Sequence, residues 1–452
     1  MNRRFLTTFI CLLFLLLSGL AFAQEQHFRF PPPEFESGYK MPGITTPAPR
    51  PLLMQYVDVA VLAAALGLAS FLVLKQRSRK YLVALSLFSL VYFGFYRKGC
   101  VCAIGSVQNV ALAFFDNGYT LPLAAGAFFL LPLVTALFAG RTFCAGVCPH
   151  GALQDFVLLK PVKVPAWLEA GLGVLPYIYL GAGVLFAATG SAFIICRFDP
   201  LVPIFRLGGS SLMVLSGIGL LLVGMFVGRP YCRFLCPYGA LLRLAGCVSK
   251  WRVVISPDDC KKCRLCEEAC PYDAILEPTP VAATSPVPGV GRGRLIGLIA
   301  LTPVLMLLMG WAGSHLTVAA SRLHPTVELA ERYSAHQVKP LALPPKSPEA
   351  LALQRAELNP KDIIASALQI RQRFVLGGWL FGAWVGLVIG VRLISLSTRE
   401  TRDDYEPDAG ACVACARCFV SCPREQLRLK RLGTDKPAGA PARAPAAPAE
   451  VA

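Results

Sequence analysis

The sequence predicts an all-α, multi-pass membrane protein with a small α+β module on its cytoplasmic side. Of its 452 residues, 55% are hydrophobic and 16% are charged, which is more apolar than a soluble protein of this length. Apolar stretches of about 20 residues recur along the chain, the length that a helix needs to cross a bilayer. Two runs spaced C-x2-C-x2-C-x3-C-P lie outside those stretches, at 260–271 and 412–423, and they predict the module.

The N-terminus predicts an export signal over residues 1–23. It has a basic start, an apolar stretch and Ala21-Phe22-Ala23 before Gln24, although an uncleaved first helix remains an alternative. Residues 24–51 are polar and rich in proline, which predicts an extended exported arm.

Seven apolar stretches predict about seven transmembrane helices after the signal. They cover residues 52–74, 80–96, 121–140, 167–188, 209–228, 293–312 and 373–394. An exported arm would place the segments after the first, third, fifth and seventh helices in the cytoplasm, and the basic residues of "KQRSRK" and of the 229–264 segment agree. The sequence therefore predicts a multi-pass protein of the inner membrane, with the long loop 313–372 in the periplasm.

The net charge of +17 fits this topology, since cations collect in the cytoplasmic loops of membrane proteins. No nucleic-acid-binding motif accompanies the charge, so a nucleic-acid partner is not expected.

An internal repeat organises the transmembrane core, residues 52–250. "GRTFCAGVCPHGALQDF" at 140–156 recurs as "GRPYCRFLCPYGALLRL" at 228–244, and an offset of 88 relates two units at about 80–160 and 167–247. The i, i+4 spacing predicts each cysteine pair on one helical face. Together the pairs could hold a third cluster, or they could be redox-active dithiols or packing residues; they are Cys144, Cys148, Cys232 and Cys236.

The two longer cysteine runs have the spacing of 4Fe-4S ferredoxins, in which the fourth cysteine ligates the other cluster. Two membrane spans separate them, so both would face the cytoplasm as one split module, residues 251–292 with 395–432. The first predicted 4Fe-4S ligand set is Cys260, Cys263, Cys266 and Cys422, and the second is Cys412, Cys415, Cys418 and Cys270. A pair of zinc sites is the alternative. The tail 433–452 is low-complexity and predicted to be disordered.

Other candidate residues lie on the predicted exported side. Cys100, Cys102 and Cys196 could bind a metal or form a disulfide, because that compartment is oxidising. Three histidines of the long loop, His315, His324 and His336, could ligate haem or contact a quinone, but loop histidines are more often solvated or structural. We interpret His150 as an ordinary interfacial residue and Cys247 as a buried apolar one.

The repeated C-x3-C-P turns followed by paired ferredoxin runs resemble the NosR and NapH type of membrane iron-sulfur proteins, over about residues 50–425. The resemblance implies two 4Fe-4S clusters at the eight ferredoxin cysteines, and it supports the C-x3-C-P cysteines as a membrane-boundary motif. It also implies electron transfer in nitrous oxide respiration. NosR proteins carry an exported domain with covalently bound FMN, whereas this chain has about 27 exported residues before its first mature helix and lacks that motif. FMN is therefore not expected in this chain, and a separate FMN-binding protein is an expected periplasmic partner.

These observations predict an electron carrier between a cytoplasmic or quinol donor and a periplasmic acceptor related to nitrous oxide reductase. The chain shows no acid-base or nucleophilic group of residues for substrate chemistry. Two alternatives remain open: a quinol dehydrogenase subunit in the manner of NapH, and an assembly or redox-regulatory factor for a periplasmic reductase.

Overall fold

The computed structural model describes residues 51–99, 102–255, 260–279, 290–324, 326–328, 330–331, 360–398 and 402–434. Several predictions of the sequence concern residues outside these ranges. They are the signal, the proline-rich arm, Cys100, His336 and the tail after residue 434.

The described chain is mostly helical. The first half contains α1 (Leu52–Phe71, extended by π-helical turns to Gln76), α2 (Arg79–Ser89, extended to Tyr96), α3 (Ala103–Phe115), α4 (Leu123–Ala139), α5 (Thr142–Gly146), α6 (Pro149–Val157), α7 (Ala166–Leu172), α8 (Leu175–Ala188), α9 (Ile194–Arg197), α10 (Val202–Arg206) and α11 (Ser211–Gly224). The second half contains α12 (Pro230–Phe234), α13 (Pro237–Cys247), α14 (Leu265–Glu268), β1 (Ile275–Leu276), α15 (Val290–His315), α16 (Thr317–Ser321), α17 (Pro360–Ser397), β2 (Glu406–Pro407), α18 (Arg417–Ser421) and α19 (Pro423–Thr434).

Each of the seven predicted apolar stretches contains a helix. Within the described ranges, four helical stretches are long and apolar enough to cross a membrane: Leu52–Gln76, Ala166–Ala188, Gly293–His315 and Ile363–Ser397. Three further apolar helices are shorter than a full crossing, namely α3, α4 and α11. This is the architecture of a membrane protein.

Helix α3 was not predicted, because it lies between the apolar stretches 80–96 and 121–140. Its 13 residues are apolar but too few to span a bilayer, so a length criterion passes over them. Short helices also form between the stretches 167–188 and 209–228. Both connections are therefore ordered structure packed against the bundle.

Helices α15 and α17 form a tightly packed hairpin. A Cβ atom on Gly382 would lie 1.9 Å from the carbonyl oxygen of Met309, and one on Gly386 would lie 2.5 Å from that of Leu305. Glycine at these positions allows the two backbones to approach, as small residues do in membrane helix pairs. The hairpin carries the chain from one cysteine run to the other.

The two cysteine runs meet in a two-stranded antiparallel sheet. Strands β1 and β2 pair Ile275 with Pro407 and Leu276 with Glu406. The Asp408 N–H donates to the Ala274 carbonyl at 2.8 Å next to this pairing. Segments more than a hundred residues apart in sequence therefore fold as one unit, as the split module requires.

The hydrophobic core continues from the helical bundle into this module. Leu66 and Leu82 of the bundle belong to the same buried cluster as Val413, Cys415 and Phe419 of the second cysteine run. Burial of apolar surface across the junction stabilises the position of the module on the bundle.

Candidate iron-sulfur sites

The two ferredoxin runs form loops with the same backbone turn. Lys262 and Arg264 have positive φ values of 50° and 65°, and Ala414 and Ala416, 152 residues further on, have 56° and 63°. Left-handed residues are uncommon outside glycine. Alternating turns of this kind direct successive backbone N–H groups into a concave site, a device found at many iron-sulfur centres. The backbone thus repeats together with the cysteine spacing.

The site that we call the inner site consists of Cys270, Cys412, Cys415 and Cys418. All four line one enclosed cavity between β1 and the second run, together with Val253, Tyr272 and Arg417. Burial, together with the neighbouring Cys415 and Cys270 thiols, raises the pKa of the Cys412 thiol to about 12, although a backbone hydrogen bond from Ala414 lowers it. The structure thus brings Cys270 to the three cysteines of the distant run, where the predicted ligand exchange requires it.

The outer site consists of Cys260, Cys263, Cys266 and Cys422. Cys266 lies in a small buried cluster with Ile255, Ile275 and Tyr405, and Cys260 and Cys422 pack against it. Burial raises the pKa of Cys266 to about 11, with Cys422 and Cys260 as its charged neighbours. Cys263 is exposed. Cys422 therefore lies beside the first run, and Cys270 and Cys418 of the inner site also pack against this cluster. The ligand exchange stays a prediction.

The four C-x3-C-P cysteines make up the boundary site, but they do not lie on helical faces as predicted. Cys144 and Cys232 lie within the short helices α5 and α12, whereas Cys148 and Cys236 have extended backbones at the start of α6 and α13. The reason is the following proline, which disfavours helical conformation in the residue before it. Each pair therefore spans the break between two helices.

The boundary cysteines nevertheless converge, and all but Cys232 are buried. Burial raises the pKa of Cys232 to about 11, although the Arg229 guanidinium lowers it. Burial also raises the pKa of Cys148 and Cys236. Cys236 has the other three boundary cysteines as electrostatic neighbours. Cys148 has Cys232, Cys144 and Cys102. Four thiols in one desolvated site suit an iron-sulfur cluster, whose ligands are thiolates.

Backbone amides also point at the boundary sulfurs. The Gly239 N–H donates to Cys236 Sγ at 3.2 Å, and the Gly151 N–H makes the repeat-related bond to Cys148. A Cβ on Gly151 would lie 3.2 Å from the Cys144 carbonyl oxygen, and one on Gly239 would lie 3.3 Å from that of Cys232. The glycine after each Cys-Pro therefore permits close approach to the first cysteine of its own turn.

Arg229 joins the two repeats. It is 1% exposed and forms two hydrogen bonds to the Asp155 carboxylate, at 3.0 and 2.7 Å, while Nη1 donates to the Cys144 carbonyl at 2.5 Å. Although burial alone would raise the pKa of Asp155, Arg229 holds it below its usual value. The Tyr272 hydroxyl also donates to Asp155, at 2.5 Å. The inner and boundary sites therefore share one polar network.

Two further arginines attach the second cysteine run to the bundle. Arg141 donates to the Gly410 carbonyl at 3.0 Å, and Arg79 donates to the Cys415 carbonyl at 2.8 Å. Neither residue was singled out in the sequence, although Arg141 is the repeat-related partner of Arg229. Comparison of the two copies is the signal that could have found it.

Cys102 lies beside the boundary site. It lines a small cavity with Cys148 and apolar side chains of the bundle, including Phe93 and Phe128. Burial and then the Asp199 carboxylate raise the pKa of Cys102 to about 12, and Cys196 is a further neighbour. Cys102 thus neighbours both Cys148 of the boundary site and Cys196. Cys102 and Cys196 are the two described cysteines that were predicted on the exported side.

Two minor predictions are wrong. His150 is not interfacial but completely buried, with Nε2 3.2 Å from the Asp199 carboxylate. Cys247 is exposed rather than buried. His315 makes an edge-to-face contact with Trp311, with ring centroids 4.6 Å apart, and His324 Nδ1 accepts a hydrogen bond from the Thr326 N–H at 3.1 Å.

Among the residues that the structure describes, no three His, Cys, Asp or Glu side chains are arranged to chelate a single metal ion. A 4Fe-4S cluster binds its thiolates at four separate iron atoms, which holds them farther apart than the ligands of one ion. The cavity and the left-handed loops at the inner site fit such a group.

Comparison with known proteins gives two domain matches. A 4Fe-4S binding domain matches residues 121–165 and 211–254, which contain the two C-x3-C-P turns, and a second 4Fe-4S binding domain matches 253–276, the first ferredoxin run. No solved structure matches the chain. The fold and these sites define an iron-sulfur electron-transfer protein of the membrane.

Parts of the chain are similar to three named relatives. The chain is 29% identical to the regulatory protein NosR of Pseudomonas aeruginosa over 218 residues, 45% of this chain and 30% of NosR. It is 25% identical to the putative electron transport protein YccM of Escherichia coli over 156 residues, 31% of this chain and 43% of YccM. It is 32% identical to the protein NirI of Paracoccus denitrificans over 152 residues, 31% of this chain and 22% of NirI. The chain spans less than half the length of each of these relatives. Together with the 4Fe-4S binding domains, they confirm the predicted resemblance to the NosR and NapH type of membrane iron-sulfur proteins.

Proposed function

We propose that this protein conducts electrons between the cytoplasmic side and the exported side of the inner membrane through three iron-sulfur centres. The outer and inner sites would each hold a 4Fe-4S cluster, and the boundary site would hold a third centre. The observation that carries the proposal is the convergence of each predicted ligand set, above all the cavity that Cys270 shares with Cys412, Cys415 and Cys418.

Burial supports the order outer, inner, boundary. The outer site includes the exposed Cys263 and lies in its own small cluster of buried residues. The inner site belongs to the main core of the bundle, and Tyr272 connects it through Asp155 to the Arg229 that binds the Cys144 carbonyl. A soluble redox partner would meet the outer site, and the chain's own residues would hold the remaining centres in apolar surroundings.

Beyond the boundary site, Cys102 and Cys196 lie toward the predicted exported side, and we propose that this end faces the acceptor. Whether these thiols bind metal or form a disulfide is a second question for experiment, and Cys100 lies outside the described residues. A separate FMN-binding or nitrous oxide reductase-related protein is the proposed periplasmic partner, in keeping with the likeness to NosR.

Iron and sulfide analysis of the anaerobically purified full chain tests the number of centres. Three 4Fe-4S clusters require about twelve iron atoms per chain and two require about eight. About twelve supports the boundary centre, about eight removes it from the proposal, and a preparation with zinc alone contradicts electron transfer.

A Cys270→Ala variant tests the ligand exchange. We expect it to lose the cluster held mainly by Cys412, Cys415 and Cys418 and to keep the cluster of its own run, because Cys270 lines the inner cavity. Cys422→Ala is the matched control and should show the opposite pattern. Paramagnetic resonance of the reduced protein distinguishes the two, and loss of the outer cluster alone in Cys270→Ala would contradict the assignment.

Oxidation of a membrane quinol is a second candidate function, and an apolar groove between α1 and α2 favours it. The groove is lined by Ala65, Leu72, Leu85 and Phe88, with Gln76 and Tyr81 as its polar members. Leu85 also lies against the boundary turn, because a Cβ on Gly146 would come 3.3 Å from it. If this function is correct, a quinone analogue should alter cluster reduction in membranes, and Ala64→Phe, at an exposed position of the same groove, should abolish that effect.

A further inference from the structure

Gln154 places a hydrogen-bond donor against one sulfur of the boundary site. Its side chain is completely buried. Nε2 donates to the His150 carbonyl at 2.8 Å and to Cys232 Sγ at 3.3 Å, and Oε1 accepts the Tyr231 N–H at 3.0 Å. The orientation of the amide is therefore fixed, because only the nitrogen can donate to a carbonyl and only the oxygen can accept from an N–H.

Asp199 contacts the side chains of His150 and Tyr231, whose backbone groups bind Gln154. Its Oδ2 lies 3.2 Å from His150 Nε2 and accepts the Tyr231 hydroxyl at 3.0 Å, and its Oδ1 accepts the Leu201 N–H at 2.9 Å. All of these groups are buried. Hydrogen bonds in such a buried network are stronger than in water. Within the described part of the chain, His150 Nδ1 has no hydrogen-bond partner, so His150 is held through Nε2 and its carbonyl.

The second copy of the repeat lacks this arrangement. The offset of 88 places Leu242 opposite Gln154 and Tyr238 opposite His150. Leu242 is a buried core residue, and the Tyr238 hydroxyl donates to the Phe129 carbonyl at 2.7 Å. Cys144, the counterpart of Cys232, instead has the Arg141 guanidinium at 3.9 Å from its sulfur. The two halves of the boundary site therefore differ chemically.

We propose that Gln154 sets the reduction potential of the boundary centre through its hydrogen bond to the Cys232 sulfur, and that Asp199, His150 and Tyr231 are positioning residues that keep the donor in place. Hydrogen bonds to cluster sulfurs and burial are among the factors that tune such potentials. A donor stabilises the additional negative charge of the reduced centre, so it raises the potential. This inference rests on the proposed boundary centre.

The test is a redox titration of the full-length protein in detergent, followed by paramagnetic resonance. Gln154→Leu carries the residue of the second copy, and we expect the boundary signal to shift to a lower midpoint potential while both ferredoxin signals keep theirs. Asp199→Asn should give a smaller shift in the same direction. Tyr238→Phe is the matched control, because it loses a buried hydrogen bond that does not involve sulfur, and its midpoint should equal that of the wild type.

Gln154→Met, which is unbranched and has no donor, provides a second measurement if the leucine variant fails to fold. A lower midpoint in either variant supports the inference, and an unchanged midpoint with full iron content overturns it. The wild-type iron count separates the two hypotheses. With about twelve iron atoms and no shift, only the role of Gln154 is lost, whereas about eight iron atoms remove the boundary centre itself.

Discussion

The two copies of the C-x3-C-P repeat share a turn but not its surroundings. In both, an arginine precedes a short helix, a cysteine-proline step begins the next helix, and a glycine allows close packing. Arg229 of the second copy binds Asp155 of the first, whereas the counterpart of Asp155 is Arg243. Burial, followed by the Arg141 guanidinium, lowers the pKa of Arg243. Two like charges therefore lie close together where the first copy has an ion pair.

The difference shows how the same turn attaches the two halves of the ferredoxin module to the helical bundle in two different ways. Since Arg141 faces another arginine, it donates outward to the Gly410 carbonyl of the second ferredoxin run. Arg229 lies inside the bundle, with its guanidinium 5.4 Å from the Tyr272 ring of the first run. Each copy thus attaches one half of the module, and substitutions at paired positions should have unequal effects.

The largest difference is expected at the arginines themselves. Arg229→Leu leaves the nearly buried Asp155 carboxylate without its main partner, and loss of one member of a buried pair costs about 3–5 kcal/mol. We expect a strong fall in folded protein, measured by thermal unfolding in detergent, and loss of the boundary centre.

The double variant Arg229→Leu with Asp155→Leu serves as the control. Removal of both charges should recover part of the lost stability, because no unpaired charge then remains. Additive destabilisation in the double variant would show that Arg229 acts through packing alone.

The paired glycines should give an intermediate difference. An Ala at Gly151 would press its methyl group on both the Cys144 carbonyl and Arg229 Nη1, each 3.2 Å away, whereas the methyl at Gly239 would meet only its own turn. Overpacking costs about 1–3 kcal/mol. Gly151→Ala should therefore lower the melting temperature more than Gly239→Ala, and the reverse order would contradict the role of Arg229 as the rigid neighbour.

The smallest effect is expected from Arg141→Ala. It removes a donor to the Gly410 carbonyl, a hydrogen bond worth about 0.5–1.5 kcal/mol. Hydrogen exchange should increase locally at residues 402–422 and stay unchanged in the helical bundle. Arg417→Ala, a substitution on the second run itself, is the comparison variant. Faster exchange throughout the bundle in Arg141→Ala would show that Arg141 stabilises the whole protein and not only the second run.

The sequence predicts well what depends on long apolar stretches. These stretches predict helices because the signal is local in the chain, whereas the assignment of the eight ferredoxin cysteines to two clusters stays a prediction. Helix α3 was not predicted because its 13 residues are too few to cross a membrane. The helical pairing of Cys144 with Cys148 was wrong because the proline after Cys148 imposes an extended backbone.

Buried polar partners were not predictable in this way. The second copy has Tyr238 at the position of His150, so the repeat does not predict a role for His150. In the structure, His150 is completely buried against Asp199, 49 residues away. Its environment comes from tertiary packing, which brings the connection after α9 onto the start of α6. Arg141, Arg229 and Gln154 belong to the same class, since their partners lie on distant segments of the chain.

The pairing of β1 with β2 has a consequence for biosynthesis. Ile275 finds its partner Pro407 only after α15 and α17 have been made, and Cys270 meets Cys412 at the same stage. A nascent chain that stops before residue 412 can present three cysteines of the outer site and one of the inner site. Completion of both clusters would therefore follow synthesis of α17, so that a fully loaded chain is also one whose hairpin has been correctly placed.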